Sequence, residues 1–205
     1  KLPRGLLSKP GRLSEEEFEL VKTHVEHSVS IMRQSGNMST KSIEIAMHHH
    51  ERANGSGYPQ GLKGSQIPVF SRIAAIVDCY DAITTERSYC KALSPLNAIR
   101  CLYEWRDIEF QSELVEEFIQ CLGIFPTGSI VELSSGEIGI VLSQNRTRRL
   151  RPRVMLVLDH KHVMIHALPV IDLALVETDA ESKPLEIITT HEPWAFGIDP
   201  GAFFI

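Results

Sequence analysis

Three consecutive histidines and a glutamate, His48 to Glu51, stand directly before a loop with four glycines, in the stretch HHHERANGSGYPQGLKG. Imidazoles fill a core poorly, and a solvated surface has no need of three in a row. Clusters of this kind hold metals, and glycines beside them let backbone approach a ligand closely. Two further groups join the set: His24, which borders the inward face of a helical segment, and Asp78 in AAIVDCYDAI. Asp78 shares a helical face with Ala74 and Ala75 and is flanked by apolar residues. A carboxylate buried there calls for a cation or strong hydrogen bonds. His24, His49, His50 and Asp78 together form a mixed nitrogen and oxygen set drawn from three helices. Such a set suits Mn, Fe, Ni, Co or Zn better than Mg or Ca. Plainer readings exist for each part. His24 alone reads as a satisfied half-buried residue, the triplet as a solvated helix end favoured by the helix dipole, and the glycines as an ordinary turn. Asp81 reads as structural. The combination is what favours a metal.

Five helices must position these groups. SEEE at Ser14–Glu17 has the form of a capping box, and the helix that follows carries Phe18, Val21, Val25, Val29 and Met32 at helical spacing. A second helix runs from about Lys41 into the histidines. A third starts near Val69, with Phe70, Ile73, Ala74, Val77 and Ile83 expected inward. Ser94-Pro95 opens a fourth with a cap followed by Pro at the first helical position, and ELVEEFIQCL forms a fifth. From Ser129 the pattern changes to β-branched, alternating strands, SIVEL, IGIVLSQ and RPRVMLVLD. The chain is therefore expected to be mainly α, with a helical domain over 1–123 and a small β-rich domain over 124–205. The apolar, aromatic tail HEPWAFGIDPGAFFI is expected to pack back on the fold. RTRRLRPR reads as a solvated turn that could meet a nucleotide or an acidic partner, and His160, His162 and His166 read as surface residues.

With 205 residues, 43% of them apolar, the chain can build one good core or one domain and a smaller second one. Its net charge of -5 argues against general DNA binding, since no basic excess exists to neutralise phosphates. No apolar run reaches the roughly 20 residues of a membrane span. Cys79, Cys90, Cys101 and Cys121 show no CxxC pairing and suit free thiols in a reducing cytoplasm. The chain begins at Lys1 without an initiator Met and reads as a piece of something longer.

The segment HHERANGSGYPQGLKGSQIPVFSRIAAIVDCYDAITTERSY resembles the signature region of HD-GYP domains, a branch of the HD phosphohydrolase superfamily. KLPRGLLSKPGRLSEEEFELVKTHVEHS resembles the segment that follows the HD dyad in that family, so the likeness covers roughly residues 1 to 105. The resemblance implies an HD-type helical bundle and hydrolysis of cyclic di-GMP to pGpG or GMP by two or three divalent ions, Fe or Mn foremost. By the same matching His24, His49, His50 and Asp78 are metal ligands, and Gly57, Tyr58 and Pro59 form the name-giving turn. Glu51 is expected to orient the imidazoles. Arg87, Lys91 and Tyr58 are expected at the substrate. The closing Lys of the family's HDxGK pattern falls on Lys1, a catalytic position, which puts the His-Asp pair just upstream; without that pair this segment alone is expected to be inactive. Asn54 replaces the usual Asp, and Cys90 a common basic residue. The implied partners are cyclic di-GMP, diguanylate cyclases with GGDEF domains, and a second copy in a homodimer. Two alternatives stay open: a catalytically silent module that binds cyclic di-GMP or a signalling partner, and a nucleotide phosphohydrolase of the wider HD group. The β-rich remainder resembles a short domain that trails some HD-GYP proteins.

Overall fold

The computed structural model describes residues 5–6, 9, 11–86 and 91–204. The chain divides into two compact units, one drawn from 1–91 and 100–118, the other from 92–99 and 119–205. The first is built on helices α1 (Glu15–Lys22), α2 (His24–Ser35), α3 (Thr40–His48) and α4 (Val69–Thr84); α5 (Pro95–Trp105) and α6 (Ser112–Leu122) follow. The second holds strands β1 (Ile130–Leu133), β2 (Ile138–Ser143), β3 (Arg153–Leu158), β4 (Val170–Asp172) and β5 (Ile187–His191). The expectation of a mainly α chain therefore describes the first unit; a five-stranded antiparallel sheet dominates the second.

Local chemistry sets the helix limits. Ser14 Oγ accepts from Glu17 N at 3.2 Å and the Glu17 carboxylate accepts from Ser14 N at 2.8 Å, which completes the capping box. The single first helix expected from periodicity is two, α1 and α2, divided at Thr23. The Thr23 hydroxyl donates to Leu20 O at 2.6 Å, so it spends its proton on the preceding turn. Gly36, in the left-handed region at φ 69°, ends α2. Val25 and Val29 bury one face of α2, whereas Phe18, expected inward, is largely exposed.

The inward face of α4 also differs from expectation. Ser71, Ala75 and Ile76 are the buried positions. Phe70, Ile73 and Val77 are 48%, 40% and 46% exposed. Small residues are what let α3 and α4 approach: Ser71 Oγ donates to Glu44 O across the pair at 3.3 Å. A periodic apolar stripe on this helix was thus a poor guide to which side faces α3. The small-residue face did that instead, and Asp78 lies on it, one turn beyond Ala75.

In the second unit the strand order is β4-β3-β2-β1-β5. Side chains alternate between two cores, as the strand period of two requires. Val131, Leu133, Val141, Val154 and Leu156 join Phe125, Leu173 and Leu185 on one face. Ile130, Ile138, Ile140, Met155 and Val157 line the other, covered by Ala195, Ile198 and Phe203 of the tail. The tail thus packs back as expected. The basic turn is largely spent on structure: Arg148 Nη1 donates to Ala174 O and pairs with Glu177, and Arg151 Nη1 donates to Leu173 O at 2.7 Å.

Candidate metal centre

Chain direction brings the imidazoles together. His24 opens α2, while α3 runs out at His48, so His49 occupies the C-cap and His50 the next position. His24 Nδ1–H donates to Val21 O at 2.8 Å, and His49 Nδ1–H donates to Ala46 O at 3.0 Å. A carbonyl can only accept, so these contacts fix the proton on Nδ1 and leave each Nε2 with a free lone pair. His50 places Nε2 3.2 Å from His24 Nε2 and Nδ1 3.5 Å from Asp78 Oδ2. The carboxylate favours a proton on His50 Nδ1, which turns a second Nε2 lone pair toward His24. One ligand atom from each of His24, His49 and His50 lies within 4.8 Å of the others. Facing lone pairs repel unless something positive stands among them, so this donor set fits a metal ion.

The surroundings of His49 and His50 keep those two imidazoles neutral, which is the form that binds metal. Burial holds His49 below its ordinary range. His50 is pushed down to about 3, first by burial, then by His49, His24 and the Arg52 guanidinium. Arg52 is a residue that sequence reading missed. It lies over the Phe110 ring at 5.0 Å, with Nε 3.5 Å from a Glu109 carboxylate oxygen and Nη1 donating to Glu51 O at 3.1 Å. Nothing in its spacing marks it, because Glu109 and Phe110 come from far along the chain.

Glu51 is 1% exposed, and its carboxylate accepts from Gln60 N at 2.7 Å and Leu62 N at 2.9 Å. Those bonds fasten the glycine loop to the end of α3 in place of the imidazole contacts expected of it. Tyr58 N adds a bond to His50 O at 3.2 Å. Gly57 is required here: a Cβ would fall under 3.0 Å from Arg52 N, Glu51 Cα and His50 O, all backbone. So docked, the loop lays the Tyr58 ring 4.7 Å from the His50 ring. Burial pushes the Tyr58 hydroxyl up to about 12, so it stays a phenol. Asn54 keeps the turn without a charge, as its Oδ1 accepts from Ser56 N at 2.9 Å.

Of the other expected residues, Asp78 is near the cluster but not buried; its side chain is 42% exposed, so the cost of burial does not explain it. His48 lies beside the cluster, its Nδ1 buried without a hydrogen-bond partner among the described residues. Asp81 and Lys91 are exposed. Lys1, Arg87 and Cys90 lie outside the described residues. No helix among the described residues is long and apolar enough to cross a membrane.

Residues 1–113 match the HD domain family. The chain is 39% identical over 153 residues to a cyclic di-GMP phosphodiesterase of Pseudomonas aeruginosa, covering 75% of this chain and 37% of that protein. It is 39% identical to a cyclic di-GMP phosphodiesterase of Thermotoga maritima, over 58% of this chain and 33% of the relative. It is 36% identical to a 3'3'-cGAMP-specific phosphodiesterase of Vibrio cholerae serotype O1, over 58% of this chain and 23% of the relative.

Proposed function

The chain belongs to the HD domain family, as its HD-GYP signature implied, and from that premise we propose that it hydrolyses cyclic di-GMP to pGpG or GMP with two or three divalent ions, Fe or Mn. The observation that carries this reading is the convergence of His24, His49 and His50 with their Nδ1 protons directed elsewhere. In it, His24, His49 and His50 hold metal through Nε2, and Asp78 adds a carboxylate oxygen from its place beside His50. Bound divalent ions would supply a hydroxide at neutral pH and neutralise charge on the phosphate oxygens. The chain's own groups do the rest. Burial, then His49, His24 and Arg52, keep His50 neutral, Glu51 and Gly57 fix the loop, and the neutral Tyr58 offers a hydroxyl donor at the edge of the site. Lys1, Arg87 and Lys91 remain assigned to catalysis and phosphate binding by resemblance. Partners in this reading are cyclic di-GMP, GGDEF cyclases and a second copy, in a cytoplasmic setting that suits the free thiols of Cys79, Cys101 and Cys121.

A second reading takes 3'3'-cGAMP as substrate, favoured by a relative of that specificity at 36% identity, close to the 39% of the cyclic di-GMP enzymes. Chromatography of both cyclic dinucleotides after incubation with the full natural protein and Mn²⁺ decides between them. Linear product from cyclic di-GMP that disappears in His49→Ala supports the first reading. Product from 3'3'-cGAMP alone supports the second. Intact dinucleotides with bound metal defeat both and leave a silent binding module.

A further inference from the structure

Resting on that reading, we propose that Lys22 binds the phosphate of the cyclic dinucleotide that is not being cleaved. Lys22 is the last residue of α1, and its ammonium lies 5.0 Å from the Phe18 ring centroid and 5.5 Å from that of Tyr58. Phe18 meets Tyr58 edge-on, with centroids 6.3 Å apart at 84°, and Tyr58 in turn lies 4.7 Å from His50. One continuous wall therefore runs from a metal-binding imidazole through a phenol to an ammonium. The aromatic pair carries the lysine stem, leaving the side chain only 29% exposed although it sits on an outer helix.

A cyclic dinucleotide carries two phosphates across one ring, separated by a ribose on each side. Metals at the histidines can take one; the second needs a cation outside the cluster. Lys22 is such a cation, reached from His50 by way of the Tyr58 ring. Arg52, a second cation close to the cluster among the described residues, is committed to Glu109, Phe110 and the carbonyl of Glu51. Among the described residues the Lys22 ammonium pairs with Glu19 at 2.6 Å, whose side chain is 69% exposed. An ion pair that open to water is weak and gives way readily to a phosphate.

The test is equilibrium binding of cyclic di-GMP to the Mn²⁺-loaded full natural protein, wild type against Lys22→Met, which keeps the stem and removes the charge. Cleavage of bis(p-nitrophenyl) phosphate, which has a single phosphate, is followed alongside. Loss of a charged hydrogen bond weakens dinucleotide binding by roughly 10- to 100-fold. Cleavage of the one-phosphate ester stays at the wild-type rate, and Lys22→Arg restores most of the affinity. Unchanged dinucleotide affinity in Lys22→Met overturns the inference while leaving hydrolysis of cyclic di-GMP by the wild type intact. An equal loss on both compounds also overturns it, since that reports damage to the metal centre. A wild type that fails to bind the dinucleotide removes the proposed function, and this inference with it.

Discussion

Replacing Gly57 by alanine probes the joint on which the site depends. The new methyl group would fall under 3.0 Å from three backbone atoms, Arg52 N, Glu51 Cα and His50 O. Backbone cannot swing aside as a side-chain tip does, so the loop must lift away from the end of α3. Overpacking of this kind costs about 1–3 kcal/mol. Lifting the loop also lengthens the bonds from Gln60 N and Leu62 N to the Glu51 carboxylate, now 2.7 and 2.9 Å. Hydrogen bonds to a buried charge are each worth about 1.5–3 kcal/mol. These losses overlap, because a lifted loop relieves the clash, so about 3 kcal/mol is the expected total. For a chain of this length that lowers the thermal midpoint by roughly 10 °C. Circular dichroism melts of the metal-free protein measure it, and metal affinity should fall in parallel as Tyr58 leaves His50. An alanine variant that melts with the wild type and binds metal equally well would refute the claim that backbone contact at Gly57 builds the site.

Glu51→Ala should cost as much or more, about 3 kcal/mol in urea unfolding, because two loop amides lose their acceptor and a buried space opens; a loss no larger than that of an exposed Glu113→Ala control contradicts the clamp. In the second unit Gly139→Ala should cost about 1–3 kcal/mol, since its Cβ would fall under 3.0 Å from Val154 Cγ1 and Met155 O; a wild-type melt would show that β2 and β3 pair more loosely than described. Asp159 accepts from Val163 N at 2.9 Å and Lys161 N at 2.8 Å, which holds its carboxyl below the ordinary 3.8. Its folded-state pKa is depressed, so its support for the turn is full above 3.8 and is lost as pH falls through the lower folded value. The amide protons of Lys161 and Val163 should titrate by NMR with a midpoint under 3.8, and a midpoint at or above it contradicts the pairing.

Much of this was legible in the sequence where a local rule decides the structure. The Ser14–Glu17 box, the Ser94-Pro95 opening of α5 and the alternating strands β1 to β3 follow from contacts a few residues apart. So does the placing of His49 and His50 at a helix end before a glycine turn. The remainder depends on partners distant in the chain. Strand β4 has three residues and β5 is half exposed, so neither shows alternation, and they exist because β3 and β1 offer them edges. Phe70, Ile73 and Val77 made an apolar stripe that periodicity turned inward, but the face that meets α3 is the small one at Ser71 and Ala75. Glu51 was legible as an important carboxylate and not as the clamp of residues nine and eleven positions later. Arg52 needed Glu109 and Phe110 to give it meaning.

The central claim is that His24, His49 and His50 form a metal centre through Nε2. Equilibrium dialysis of the purified protein against Mn²⁺, with His24→Ala and His50→Ala beside the wild type, tests it most directly. The wild type should bind tightly and each variant should lose at least one ion per chain, with the fold preserved by circular dichroism. Equal metal content in all three proteins would contradict it, and would return the histidines to the role of an ordinary helix end.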